Sequence, residues 1–272
     1  MEERARLGDV ELAYEVAGSG PRLVWFHGLA SCRDGDRDVI DALAQSFTVL
    51  SFDARGHGRS EPVSEPARYT YPLLARDAVA LLEHVGWERA ILAGSSMGAA
   101  TAARVAITSA LPAGLVMVRP AAAGDDGAAP PWLQLLFAAG AHAMRNGGLD
   151  GAIDFLWSIP QAREQLERDP SRIEQLRVDW QRHEPFSIAA ALEAMPRTSP
   201  LHGGLRGDMI TCPTLVIPGD DVIHPRDAGA AIAATVPGAR LLEPFGAVPR
   251  ADEVAVLLAA ITAFVDEAIP AR

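Results

Sequence analysis

The chain contains no lysine, so its 24 basic residues are all arginine. That absence excludes a Schiff-base lysine, a pyridoxal-phosphate lysine and a P-loop lysine together. Cysteine is scarce. Cys32 and Cys212 have no metal-ligand spacing and read as isolated buried thiols, with a disulfide between them left open. No run approaches the roughly 18 uninterrupted apolar residues of a membrane span. The first residues, Met1-Glu2-Glu3-Arg4-Ala5-Arg6, lack the apolar centre of a secretory leader, so a cytoplasmic location is expected. Positive charge is short as well. The net charge of −11 disfavours nucleic acid and anionic membrane as partners. Histidine is missing from the end of the chain, the last of the seven being His224.

What is present is a large, alanine-rich apolar content: 49% hydrophobic with only 6% aromatic over 272 residues, enough for one sizeable core with room for an inserted subdomain. Short apolar runs at 22–27, 48–52, 89–93 and 115–118 read as buried strands, preceded by an alternating strand at 10–16. Helical spacing lies between them at 38–46, 73–85 and 99–109. Buried strands separated by helices predict a mostly parallel sheet covered on both faces. Residues 124–131 are rich in Gly, Ala, Asp and Pro and read as a linker. From 132 to 200 the pattern is helical only, with candidates at 132–144, 151–157, 164–168, 171–182 and 188–195 and prolines at their boundaries. The strand pattern resumes at 213–218, a helix at 227–236, a strand at 240–243 and a closing helix at 252–268. The expected organisation is a core of 1–123 and 201–272 with a helical lid at 124–200.

One motif carries chemistry. Gly94-Ser95-Ser96-Met97-Gly98 follows the apolar run Ala90-Ile91-Leu92-Ala93 and opens a helix of small residues. A turn this tight between strand and helix needs glycine on both sides and lifts the Ser96 hydroxyl above the sheet, at a helix N-terminus that favours negative charge. A glycine-flanked helix cap is the bland alternative. His27-Gly28-Leu29-Ala30 follows the strand at 22–27. Its Leu29 N–H and the Met97 N–H are candidate oxyanion donors, with His27 bracing the loop or touching substrate.

These blocks, together with Phe52-Asp53-Ala54-Arg55-Gly56-His57-Gly58-Arg59-Ser60 and Leu215-Val216-Ile217-Pro218-Gly219-Asp220-Asp221-Val222-Ile223-His224-Pro225, resemble the α/β-hydrolase-fold proteins of the serine-hydrolase type. The resemblance implies an α/β-hydrolase fold with Ser96 as nucleophile, Asp221 as acid (Asp220 as fallback), a structural role for His57, and no cofactor or metal. Haloalkane dehalogenases and epoxide hydrolases of this fold carry aspartate at the elbow tip, so Ser96 argues against both. The family histidine follows the last strand in a Gly-His step, and here Gly246 is followed by Ala247. His224 lies only three residues after Asp221, so one chain turn would have to fold back for it to reach Ser96. His84, His142, His183 and His202 read as surface or packing residues, with His142 and His183 open to substrate contact.

Loss of the base costs about 10⁶ in rate in a well-studied case, roughly 8 kcal/mol of barrier. The reading preferred on sequence is therefore a serine hydrolase of an ester, lactone or thioester of a small to medium apolar substrate, acting through a Ser96 acyl-enzyme and carrying a His-to-Ala inactivating change at 247. The alternatives are a natural non-hydrolytic enzyme of the same fold (a cyclase, lyase or decarboxylase) and a non-catalytic ligand-binding protein. The expected partner is a small molecule, with a homodimer left open. Ser95, Arg119, Trp132, Phe137, Trp157 and His224 are the further candidates for substrate contact.

Overall fold

The computed structural model describes residues 2–124, 126–168, 171–245 and 250–269. Eight strands form one sheet in the order β1-β2-β4-β3-β5-β6-β7-β8. They are β1 (Glu3–Leu7), β2 (Val10–Gly18), β3 (Arg22–Phe26), β4 (Thr48–Phe52), β5 (Ala90–Ser95), β6 (Pro112–Val118), β7 (Thr214–Ile217) and β8 (Arg240–Leu241). β1 and β2 run antiparallel to their neighbours, and every later pairing is parallel. β1 has no counterpart in the sequence pattern. It is an edge strand whose only buried residues are Ala5 and Leu7, among charged neighbours, so its hydrophobic signal is weak.

Side-chain alternation along the central strands builds two cores. Val24, Phe26, Leu92, Leu115 and Met117 face one side, where α2 (Tyr71–His84), α3 (Met97–Thr108) and α8 (Arg226–Thr235) lie. Leu23, Trp25, Ile91, Val116 and Ile217 face the other, against α1 (Arg37–Leu43) and α9 (Arg250–Ala268). Strands buried on both faces need unbroken apolar runs, as the sequence has them. Carboxyl ends of parallel strands in such a sheet open a crevice for ligands.

Between β6 and β7 the chain forms α4 (Pro131–Ser158), α5 (Pro160–Arg168), α6 (Ser171–Trp180) and α7 (Pro185–Ala194). The expected helices at 132–144 and 151–157 are the two arms of α4, bent at Gly148, which has φ 58° and ψ −142°. Glycine takes that backbone conformation without the Cβ clash other residues suffer. α4 and α7 pack through Ala141, Met144, Ala152, Ile188, Ala189 and Leu192, and Leu29, Ala30 and Phe137 rest against this cluster. The helices thus sit over the loop that follows β3. Among the described residues no helix is long and apolar enough to cross a membrane. Cys32 is buried, Cys212 is half-buried, and both are free thiols.

One buried ion pair ties the turn after β4 to α2. Arg55, fully buried, donates from Nε and Nη2 to the Asp77 carboxylate at 2.7 and 2.8 Å. Arg55 also reaches Asp9 at 3.4 Å and the Arg68 carbonyl at 3.3 Å, so removing Asp77 leaves its charge partly paired and costs about 1–3 kcal/mol, less than the loss of a sole buried partner. Asp77→Ala is expected to lower stability to urea by that amount, and adding Arg55→Leu should recover part of the loss. An unchanged unfolding midpoint in Asp77→Ala would show that the pair contributes nothing net.

Candidate active site

Ser96 stands at the junction of β5 and α3 with φ 53° and ψ −114°. Backbone in this region costs a non-glycine residue about 1–3 kcal/mol and persists only where its surroundings enforce it. Here they do. A Cβ on Gly98 would fall 2.1 Å from the Phe26 carbonyl oxygen, and one on Gly94 would fall 2.7 Å from both the Gly98 backbone and the Phe26 side chain. Glycine at both places lets α3 press directly onto β3. The Ser96 N–H donates to the Val118 carbonyl at 3.0 Å.

The loop after β3 comes to the same point. A Cβ on Gly28 would lie 3.7 Å from Ser96 Cβ, and Leu29, Ser96 and Met97 border one cavity. Met97 opens α3, so its N–H has no partner within the helix. These are the positions an oxyanion site requires.

Three histidines hold that loop from below. His27 Nδ1 donates to the Gly28 carbonyl (2.7 Å) while its Nε2 accepts from the Ala54 N–H (2.9 Å). His57 Nδ1 donates to the Arg55 carbonyl (2.9 Å), and its Nε2 accepts from the N–H of Ala30, a residue with φ 58°. His183 Nδ1 accepts from the Gly58 N–H at 2.8 Å. Ring centroids stand 5.2 Å apart for His27–His57 and 5.8 Å for His57–His183. Each ring accepts an N–H through one nitrogen, which requires the neutral form. Burial, reinforced by the neighbouring rings, lowers His27 to about 4 and both His57 and His183 to about 3.

His224 completes the arrangement. Its Nε2 lies 2.9 Å from Ser96 Oγ, and its Nδ1 lies 3.0 Å from Asp221 Oδ2 and 3.1 Å from Oδ1. The turn from 219 to 224 does fold back, for two local reasons. Asp221 Oδ1 accepts the N–H groups of Ile223 and His224, both at 2.8 Å, closing the loop on itself. Gly219 leaves the space into which His224 packs: a Cβ there would fall 2.4 Å from the His224 carbonyl oxygen and 2.6 Å from its Cβ. The Ala122 N–H then pins the loop through the Ile223 carbonyl at 2.8 Å. Burial alone would raise the Asp221 carboxyl, but the His224 ring and the two backbone N–H groups outweigh it and hold Asp221 at about 2. An ionised carboxylate accepts only, so Nδ1 carries the proton and Nε2 is free to take one from Ser96.

The histidine whose absence was inferred from Ala247 is thus supplied from the acid loop. Ala247 itself, with Gly246, Val248 and Pro249, lies outside the described residues. Gly219 and the aspartate three residues before His224 are the signals that point to the fold-back. Asp220 is exposed, and Asp221 is the residue at the site.

Several predicted substrate contacts are not at the cavity. Arg119 pairs with Glu253 of α9 at 2.9 Å, neither facing substrate nor meeting an acid of the inserted helices. His27 is buried with both nitrogens engaged. Ser95 does not border the cavity. Phe137 does, as does Leu133 one helical turn earlier. Trp132 and Trp157 do not, because the cavity-facing stripe of α4 runs through 133 and 137 and leaves Trp132 47% exposed. His142 is on the exposed side of α4, bonded to Asn146. Tyr71, Ala100, Ala103, Met195 and Ile223 also line the cavity and carry no motif that would have flagged them. Among the described residues no cluster of His, Cys, Asp or Glu could hold a metal ion.

The family model described as serine aminopeptidase, S33, matches residues 20–240. The chain belongs to this α/β-hydrolase family. A hydrolase from Pseudomonas aeruginosa PA01 superposes with a TM-score of 0.81 at 26% identity, covering 97% of this chain and 98% of that one. A thermophilic esterase from Thermogutta terrifontis superposes with a TM-score of 0.80 at 26% identity, covering 99% of this chain and 100% of that one. A curated relative, fluoroacetate dehalogenase from a Burkholderia species, is 36% identical over 104 residues, 37% of this chain and 34% of that protein. The chain thus spans about a third of the length of this curated relative.

The histidine cluster makes the fold acid-sensitive. Its rings are neutral when folded and titrate near 6.5 when unfolded, so the unfolded chain takes up more protons as pH falls. Their contribution is whole above about 6.5 and is lost progressively toward the folded values of about 4 and 3. At pH 5 each ring costs up to about 2 kcal/mol relative to pH 7. Urea midpoints measured at both pH values should therefore fall on acidification, and the fall should shrink in His183→Gln. Equal midpoints would mean that the rings are not held neutral.

Proposed function

We propose that the protein is a serine hydrolase that cleaves an ester, lactone or thioester, with Ser96 as nucleophile, His224 as base and Asp221 as the group that orients it. The observation that carries this reading is the unbroken chain from Ser96 Oγ through His224 to Asp221, at 2.9 and 3.0 Å. His224 Nε2 takes the hydroxyl proton as Ser96 Oγ attacks the carbonyl carbon. The N–H groups of Leu29 and Met97 receive the negative charge on the carbonyl oxygen. Collapse passes the proton from Nε2 to the departing oxygen or sulfur and leaves an acyl-enzyme. Water then gives a proton to Nε2 and attacks the acyl carbon, and Ser96 leaves with that proton, releasing the acid.

Serine at the elbow tip separates this reading from dehalogenation, the activity of the fluoroacetate dehalogenase relative. The esterase among the structural neighbours supports ester chemistry. On this reading residues 124–200 act as a lid over a core of 1–123 and 201–272, and the alanine at 247 is no inactivating change. The partner is a small, uncharged molecule.

Turnover of p-nitrophenyl butyrate should fall by about 10⁴–10⁶ in Ser96→Ala and in His224→Ala, and by about 10³–10⁴ in Asp221→Ala. Ala247→His should give no comparable gain. A gain of several thousandfold in Ala247→His, with His224→Ala silent, would restore the reading in which the natural base is missing at 247.

A further inference from the structure

The cavity at Ser96 continues well past the nucleophile. It runs along one face of α3, by Ala100 and Ala103 to Ile107, with Ile232 and Val236 on the opposite wall. The segment from Pro196 to Ile210 roofs it, and Arg104 of α3 holds that roof by donating to the Pro200 and His202 carbonyls at 2.8 and 2.9 Å. The empty space is about 1070 Å³, part of it open to solvent, and among the described residues no charged one borders it. Two of its few polar groups are already satisfied: Thr198 donates to Met195 and Thr235 to Ile232, at 3.0 and 2.9 Å. Apart from the Tyr71 and Ser96 hydroxyls, a ligand lying here meets mainly hydrocarbon.

The dimensions set a length. At 1.5 Å per residue, α3 rises about 10 Å from Ser96 to Ala103 and about 16 Å to Ile107. An extended chain advances about 1.2 Å per bond, from the 3.3–3.6 Å spanned by three backbone bonds, so the channel fits about eight to thirteen carbons. The arm of the substrate that enters is also defined. His224 must protonate the leaving group, and it does not border the channel, whereas Met97, the oxyanion donor, does. The acyl side of the carbonyl is the side directed along α3.

We propose that this channel is an acyl-chain subsite, and that the substrates are esters or thioesters of unbranched acids of about eight to thirteen carbons. The proposal rests on the serine-hydrolase reading and names its substrate class. Each buried methylene is worth up to about fourfold in affinity. For p-nitrophenyl esters from acetate to palmitate, kcat/KM should peak at octanoate to dodecanoate, at least tenfold above acetate. Ala103→Phe should lower the decanoate-to-butyrate ratio at least tenfold, and Ile107→Ala should move the optimum to longer chains. Calorimetric binding of the same esters to Ser96→Ala should follow the same order. A rate that falls steadily from acetate, or alkyl acetates whose alcohol length alone sets the rate, would overturn the subsite while leaving the nucleophile standing. Chain-length-dependent binding without Ser96-dependent turnover would retain the subsite and overturn the serine-hydrolase reading. Length-independent binding and turnover together would remove the subsite.

Discussion

The close approach of α3 to β3 is the constraint on which the site depends. Gly98 touches the Phe26 carbonyl with no room for a methyl group. Because the helix cannot retreat, the turn joining it to β5 must be made in one residue, and Ser96 absorbs the strain with a positive φ. The same contact sets the direction in which β3 leaves the sheet, which brings Gly28 over Ser96 and Leu29 beside Met97. One steric fact therefore places Ser96 and both candidate oxyanion donors. The strain at Ser96 is held by two cores of apolar side chains, one on each face of the sheet.

Much of this was legible in the sequence because sterics and periodicity act locally. Gly94, Ser96 and Gly98 announce the turn, and the apolar runs of β3 to β7 announce a sheet buried on both faces. What was not legible depends on partners distant in sequence or on a single turn. Arg119 finds Glu253 on the last helix, a pairing no local pattern encodes. β1 is held chiefly by its ladder to β2, with little apolar surface to mark it. Trp132 looks like a pocket residue by type, yet its place on the α4 stripe turns it outward. His224 is the instructive case. Spacing from Asp221 argued against it, and the turn closed by Asp221's own carboxylate, over the space left by Gly219, brings it to Ser96.

Acid and base on one turn behave differently from acid and base on separate loops. The carboxylate that orients the His224 ring also closes the backbone that carries it, so Asp221 has a structural and an electrostatic duty at once. Its Oδ1 already accepts two backbone N–H groups before the ring is counted. The His224 ring and these two N–H groups together hold the carboxyl well below its ordinary range. The cost is rigidity: a loop that moves the base moves the acid with it.

This coupling also bears on the opposite side of the site. Three neutral histidines pack below the loop after β3, and His224 is a fourth beside Ser96, yet their surroundings differ. His27, His57 and His183 each accept a backbone N–H inside the fold, so a proton on any of them breaks a bond to the loop after β3 (Ala30) or to the turn after β4 (Ala54, Gly58). His224 faces a serine hydroxyl on one side and an ionised carboxylate on the other, so neither of its side-chain partners is a backbone N–H. The four imidazoles are thereby divided by their partners: three hold backbone N–H groups, and the fourth lies between Ser96 and Asp221.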